Sequence, residues 1–288
     1  MSKKINHLKI SLVIVCILIL STLLFFKETS EKNKVNDFSL EESTDAEFIN
    51  FINQKKKLSQ TNEEVSLFNK KEYYFWNEET NNYQEKLEEL QDAELKNYEV
   101  RNLAEKTEVM DLNSNGINEL YQLKEGVLKI SEDEELIWQS PDEWWVDNFV
   151  LADINSDGEV NINLSLWKVG SFGSSKPFWL GKNDMSIKNH FFVLRLEDNQ
   201  VSQVWGSSNL SAPNCEFTIA DINNDGQNEL LVIEGQYQED LDCKGQYLAI
   251  WNWNSWGFSN EWRSDMANYS QLRIEKINGK SYIIVNTD

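Results

Sequence analysis

The sequence predicts a mainly β domain of repeated units, standing on a short helical stalk behind an N-terminal transmembrane helix. Three observations predict it. An acidic loop recurs as Asp111-Leu-Asn113-Ser-Asn115-Gly116-Ile-Asn-Glu119, Asp153-Ile-Asn155-Ser-Asp157-Gly158-Glu-Val-Asn161 and Asp221-Ile-Asn223-Asn-Asp225-Gly226-Gln-Asn-Glu229. Runs of β-forming residues flank each copy, and an apolar run from Ile10 to Phe26 precedes them all. Every loop sets oxygen-bearing side chains at positions 1, 3, 5 and 9 around a glycine at position 6, which is how a short loop wraps a hard cation such as Ca²⁺.

Residues 1–9 read as a cytoplasmic leader and 10–26 as a signal-anchor. Lys3, Lys4 and Lys9 precede the apolar run, whose length sits at the short end of the roughly 17–25 residues a span requires. A cleaved signal peptide needs a small-residue cleavage site, and here Leu23, Leu24, Phe25 and Phe26 lead straight into Lys27. Cys16 is no lipidation site, because bulky Ile14 and Val15 precede it and apolar residues still follow. Lysines on the N-terminal flank orient the chain with its C-terminal part outside the cell. The expected localisation is therefore a single-pass membrane protein with an extracellular domain.

The 288 residues carry a net charge of −21, and the part beyond the lysine-bearing leader is more acidic still. Such a surface repels nucleic acid and anionic headgroups and attracts divalent cations. With 40% apolar residues, including 11 Trp, 14 Phe and 9 Tyr that demand burial, the chain is no disordered acidic tail.

Residues 28–100 lack glycine and proline and are rich in Glu, Lys, Asn and Gln, which suits a helical stalk or linker. Phe48, Phe51 and Ile52 form one narrow apolar stripe at helical spacing; Tyr83, Leu87 and Leu90 form a second. Between them the run Tyr73-Tyr-Phe-Trp76 is too aromatic to stay in solvent and is expected to dock on the following domain.

From residue 101 to 288 the pattern is strand-like. Strands are expected at Asn148–Ala152, Val160–Trp167, His190–Leu196, Val201–Trp205, Phe217–Ala220, Leu230–Ile233, Tyr247–Trp253, Leu272–Ile277 and Tyr282–Val285, with another at Leu120–Leu123. The loops begin at 111, 153 and 221, so their spacing is uneven. A fourth unit near 271–288 has its loop reduced to an Asn278-Gly279 turn. Strand-built repeats of this size point to propeller blades or a related stack of sheets.

An EF-hand is excluded, because its twelfth position requires a bidentate Glu and here holds Gln122, Leu164 and Val232. The loops instead resemble those of the FG-GAP/VCBS-type calcium-loop repeats, found between strands in the integrin α-subunit propeller. The resemblance covers roughly residues 100–288 and implies a β-propeller-type architecture with structural Ca²⁺. The ligands it implies are Asp111, Asn113, Asn115 and Glu119; Asp153, Asn155, Asp157 and Asn161; and Asp221, Asn223, Asp225 and Glu229. Ile117, Glu159 and Gln227 would add backbone carbonyls. At most four blades fit the length. A closed ring would need an N-terminal segment, with Tyr73–Trp76 the best candidate, to complete the last unit; an open stack is the other arrangement. The third loop, with three acidic ligands, is expected to bind Ca²⁺ tightest, and the second, least regular loop is the one most open to being empty.

The chain reverses at the Asp221 loop, so Cys215 and the strand end near Gly235 meet at one edge, from which Cys243 also starts. A disulfide between Cys215 and Cys243 is one outcome in an exported protein, and two buried thiols the other. Trp144, Trp145, Trp251, Trp253 and Trp256 suit either core packing or sugar-stacking platforms. Catalysis has little to build on: His190 is the one histidine beyond the leader, and neither a Gly-x-Ser-x-Gly motif nor a phosphate-binding glycine loop occurs. Gly170-Ser-Phe-Gly173 reads as a surface turn.

The function expected is that of a non-enzymatic, calcium-binding cell-surface module for adhesion or binding, with a protein or glycan ligand and no nucleic acid. A carbohydrate-binding protein using exposed tryptophans is the alternative, and a cell-envelope hydrolase comes third.

Overall fold

The computed structural model describes residues 45–59, 70–86, 105–171, 184–238 and 243–287. The leader, the 10–26 run with Cys16, and stalk residues 28–44, 60–69 and 87–100 lie outside the described residues. Among those described, no helix is long and apolar enough to cross a membrane. Two units divide the chain, Met1–Asn50 and Phe51–Asp288. Helix α1 covers residues 45–59, and the other described elements of the second unit are β-strands.

Among the described residues sixteen strands form four antiparallel meanders. The first sheet holds β3 (Glu105–Met110), β4 (Glu119–Lys124), β5 (Val127–Glu132) and β6 (Glu135–Gln139); the second holds β7 (Trp144–Ala152), β8 (Asn161–Val169), β9 (Ile187–Glu197) and β10 (Gln200–Gly206). The third consists of β11 (Asn214–Ala220), β12 (Glu229–Gly235), β13 (Gly245–Trp253) and β14 (Phe258–Arg263). In the fourth, β15 (Tyr269–Ile277) and β16 (Lys280–Thr287) continue into β1 (Lys70–Asn77) and β2 (Asn82–Lys86). The third and fourth join through a single pairing of Gly245 with Tyr269. A Cβ at Gly245 would lie 2.3 Å from the Tyr269 carbonyl oxygen, so only glycine permits this approach. Among the described residues no sheet closes on itself.

Period-two patterning explains how the sheets stack. On β12 every residue is buried: Leu230 and Val232 join Phe191, Val193 and Phe217 in a core between the second and third sheets, while Leu231 and Ile233 face Leu248, Ile283 and Val285 between the third and fourth. A third core holds Tyr121, Leu123, Leu128 and Ile130 of the first sheet against Phe149, Leu164 and Leu166 of the second. Each fully buried leucine or isoleucine here contributes about 2 kcal/mol. β4 behaves differently: its residues alternate buried and exposed, so the first sheet is covered on one face only.

The Tyr73–Trp76 run lies on β1, where Tyr73 pairs with Ile284 and Tyr74 with Ile283. Sequence distance does not impede this, because an edge strand with an unsatisfied row of backbone groups and an apolar face takes whichever strand matches it. The second stalk helix is corrected by the structure. Tyr83 sits on strand β2, paired opposite Trp76, its ring 4.9 Å from that of Trp76 and 5.9 Å from that of Trp262. Burial of one tyrosine against two tryptophans outweighs the helical spacing of Tyr83, Leu87 and Leu90, the last two of which lie outside the described residues. Among the described residues the β structure thus begins at residue 70, inside the stretch expected as stalk. The first stripe is helical as expected. Phe51 of α1 packs on Trp167 with centroids 5.4 Å apart, and Lys55 reaches Asp147 at 3.3 Å. Asp147 sits at a bulge of β7 and also accepts the indole N–H groups of Trp145 and Trp167.

Candidate metal centre

Each acidic loop joins the first and second strands of its sheet, and all three follow one path. The carboxylate at position 1 accepts two backbone N–H groups: Asp111 from Asn115 and Gly116 at 3.2 and 2.9 Å, Asp153 from Asp157 and Gly158 at 3.3 and 2.9 Å, Asp221 from Asp225 and Gly226 at 3.2 and 3.1 Å. Position 5 accepts from position 7, as in Ile117 N–H to Asn115 at 2.8 Å and Gln227 N–H to Asp225 at 2.8 Å. These Asx turns bend the chain so that Ser114, Ser156 and Asn224 take positive φ, followed by the position 6 glycines at φ 88°, 91° and 87°. A Cβ at those glycines would meet nothing within 4 Å, so it is backbone conformation that selects glycine. The apolar residue at position 2 anchors each loop: Ile154 and Ile222 are fully buried between sheets, and Leu112 packs against the first core.

Side-chain chemistry separates the loops where the backbone does not. In the third, Asp221, Asp225 and Glu229 bring carboxylate oxygens within 4.8 Å of one another. Glu229 is buried and accepts the Ile222 N–H at 2.8 Å. Burial, then the charges of Asp225, Asp221 and Glu261, push its carboxyl up to about 7 against the opposing pull of that N–H. Glu261 of β14 is itself raised by burial and by Asp225. The Tyr83 hydroxyl, brought in by β2, is buried with no hydrogen-bond partner among the described residues, and after burial the charges of Glu229, Glu261, Asp225 and Asp221 act on it most.

In the first loop, Glu119 is buried, accepts the Leu112 N–H at 2.8 Å and the Tyr121 hydroxyl at 3.1 Å through Oε2, and leaves Oε1 without a partner among the described residues. Glu132 of β5 stands beside it, accepting from Asn115 at 2.8 Å and Asn113 at 3.3 Å. The second loop has Asn161 at position 9 and no buried carboxylate. Its Asp157 is paired with the Arg195 guanidinium of β9. Burial lifts the Asp157 carboxyl, but hydrogen bonds from Arg195, the Glu159 N–H and Asn155 prevail and hold it below the usual carboxylate range.

The loops share one end of the stacked sheets. Asn228 of the third donates to the Asp153 carbonyl oxygen of the second at 2.8 Å, and Asn113 of the first donates to Asn199 in the β9–β10 turn at 2.7 Å. The donor set is all oxygen, with buried carboxylate and phenol atoms lacking partners, and this suits a hard cation such as Ca²⁺. At the opposite end of the third sheet, Cys215 and Cys243 form a disulfide with Cα atoms 5.3 Å apart.

The remaining candidates are dispersed. Trp251 and Trp253, two residues apart on β13, share a face; Trp251 donates to Glu234, and Trp253 packs against Trp205 and Phe258. Trp144 packs on Phe192, whereas Trp256, at the β13–β14 turn, stands in solvent at 82% exposure. His190 is fully buried, its basicity lowered to about 4 by burial and by Lys168. Arg195 was not among the residues expected at the loops; a lone arginine inside the apolar run Phe191–Leu196 was its one signal. No protein-family model matches the chain, and no curated protein does.

Proposed function

We propose that this chain is a membrane-anchored, extracellular β-repeat module of the FG-GAP/VCBS type, in which Ca²⁺ held by acidic loops stiffens a small four-bladed, propeller-like array that serves cell-surface binding or adhesion. The convergence of Asp221, Asp225 and Glu229 carries the reading. Three carboxylates around one point, one of them buried, repel each other unless protons or a cation compensate them, and outside the cell millimolar Ca²⁺ is at hand. The four meanders and the completion of the last by N-terminal strands support the propeller-like description. The lysine-flanked apolar run supports the anchor and the extracellular placement.

The test is a melting curve of the full chain in detergent with Ca²⁺ and with chelator. Chelation lowers the midpoint, and Asp221→Ala with Asp225→Ala removes most of that difference. An unchanged midpoint in both tests rejects the calcium reading. Protease added to intact cells should remove the domain; protection would reverse the topology.

The exposure of Trp256 favours a second reading, a sugar-binding surface. Saturable binding on a glycan array, lost in Trp256→Ala with the fold intact, would select it.

A further inference from the structure

We infer that the second acidic loop supplies its own cation: the Arg195 guanidinium takes the place that Ca²⁺ takes in the first and third loops, so the chain binds metal through two loops rather than three. This rests on the calcium reading above.

Register shows the substitution. In each sheet the position 9 residue begins the second strand, one place before the pairs Leu120↔Ser131, Ile162↔Leu194 and Leu230↔Trp251. The residue facing it on the third strand is therefore Glu132 in the first sheet, Arg195 in the second and Asn252 in the third. The same structural position holds an acid, a guanidinium and an amide. Where it is acid or amide, position 9 is a buried glutamate; where it is arginine, position 9 is the neutral Asn161. Charge at the two facing positions has changed together.

The second loop has not lost its shape. Asp153 accepts the same two N–H groups as Asp111 and Asp221, and Gly158 keeps its positive φ. Its Asp157 is answered instead by Arg195, whose side chain is 19% exposed and also lies 3.7 Å from Glu197 on β9. An arginine stays protonated at any physiological pH, so this charge is permanent, and a dication entering the loop would meet like charge. Asn161 is one methylene shorter than Glu119 and Glu229, which both reach the position 2 N–H; its amide is fully buried and lacks a hydrogen-bond partner among the described residues. Asn161 keeps a carbonyl oxygen at the ligand position but not the negative charge that Glu119 and Glu229 would offer a dication.

Calorimetric titration of the full chain with Ca²⁺ tests this. The expected stoichiometry is about two ions per chain for the parent and for Arg195→Lys, and about three for Arg195→Gln combined with Asn161→Glu, which restores the acid pattern of the other loops. Three ions in the parent, or two in the combined variant with unchanged circular dichroism, overturns the inference while leaving the calcium reading intact. No binding by the parent overturns both. If the combined variant fails to fold, the parent's stoichiometry still decides, since three ions cannot coexist with an Arg195-filled loop.

Discussion

The second and third acidic loops have the same turns, positive φ at the same two positions and the same carboxylate grip on their own backbone, yet their charges stand in opposite states. Around the third, Asp221, Asp225 and Glu229 converge with Glu261 nearby, and the burial of Glu229 makes its ionisation unfavourable. Around the second, Asp157 faces Arg195 and position 9 carries no charge. Loop shape and loop charge are thus separable. Asx hydrogen bonds and a glycine shape the turn alike in both, and the residues at positions 5 and 9 and across the strand decide what the turn asks of its surroundings.

The largest expected effect tests whether the third hairpin is held mainly from the end away from its loop. Reducing Cys215–Cys243, which closes a 28-residue separation, should lower unfolding free energy by about 3.5 kcal/mol in urea denaturation, with and without Ca²⁺ alike. Next comes the third loop's charge. Without Ca²⁺, the carboxyl of Glu229 is raised from an ordinary 4.5 to about 7, so the folded state holds a proton that the unfolded chain has released between those values. Stability should fall as pH rises from about 4.5 through 7, by about 3 kcal/mol once both states are ionised. Glu229→Gln should remove that slope and stabilise the calcium-free protein at pH 8 while weakening calcium binding. A slope that persists in the variant would place the charge strain elsewhere.

Calcium itself comes third: at tenfold its dissociation constant, each occupied loop should add about 1.4 kcal/mol, read as a shift in melting midpoint that Asp221→Ala reduces. The smallest effect belongs to the second loop and has the opposite sign to Glu229→Gln. Asp157→Asn should destabilise by about 1 kcal/mol, screened by solvent because the Asp157 side chain is 38% exposed, and Ca²⁺ should not alter that loss. Stabilisation by Asp157→Asn would erase the contrast between the loops.

Much of this was legible in the sequence because it is local. The Asx-glycine loops carry their geometry in nine consecutive residues, and strands such as Leu230–Ile233 announce themselves by β-branched apolar runs. The reduced Asn278-Gly279 loop was recognisable because its two residues suit a turn with both φ positive. Hairpin β5–β6 was missed because its turn is Asp133-Glu134, both at positive φ without a glycine to mark them. Strand β2 was misread because a strand with one buried residue, Tyr83, shows no alternation. Arg195 could not be foreseen at the second loop, since its meeting with Asp157 depends on the register of β8 with β9 across 38 residues of chain.

The pairing of β1 with β16 sets an order in time. Thr287 donates its hydroxyl to Glu72 across 215 residues of sequence, so β1 and β2 complete their sheet only after β16 has left the ribosome. Until β16 has emerged, the edge of β1 that pairs with Ile283 and Ile284 stays open and the β1–β2 hairpin lacks the rest of its sheet. Long-range closure of this kind is slow. A nascent chain halted before residue 280 should therefore expose an adhesive aromatic hairpin, making late truncations more harmful in the cell than their length suggests.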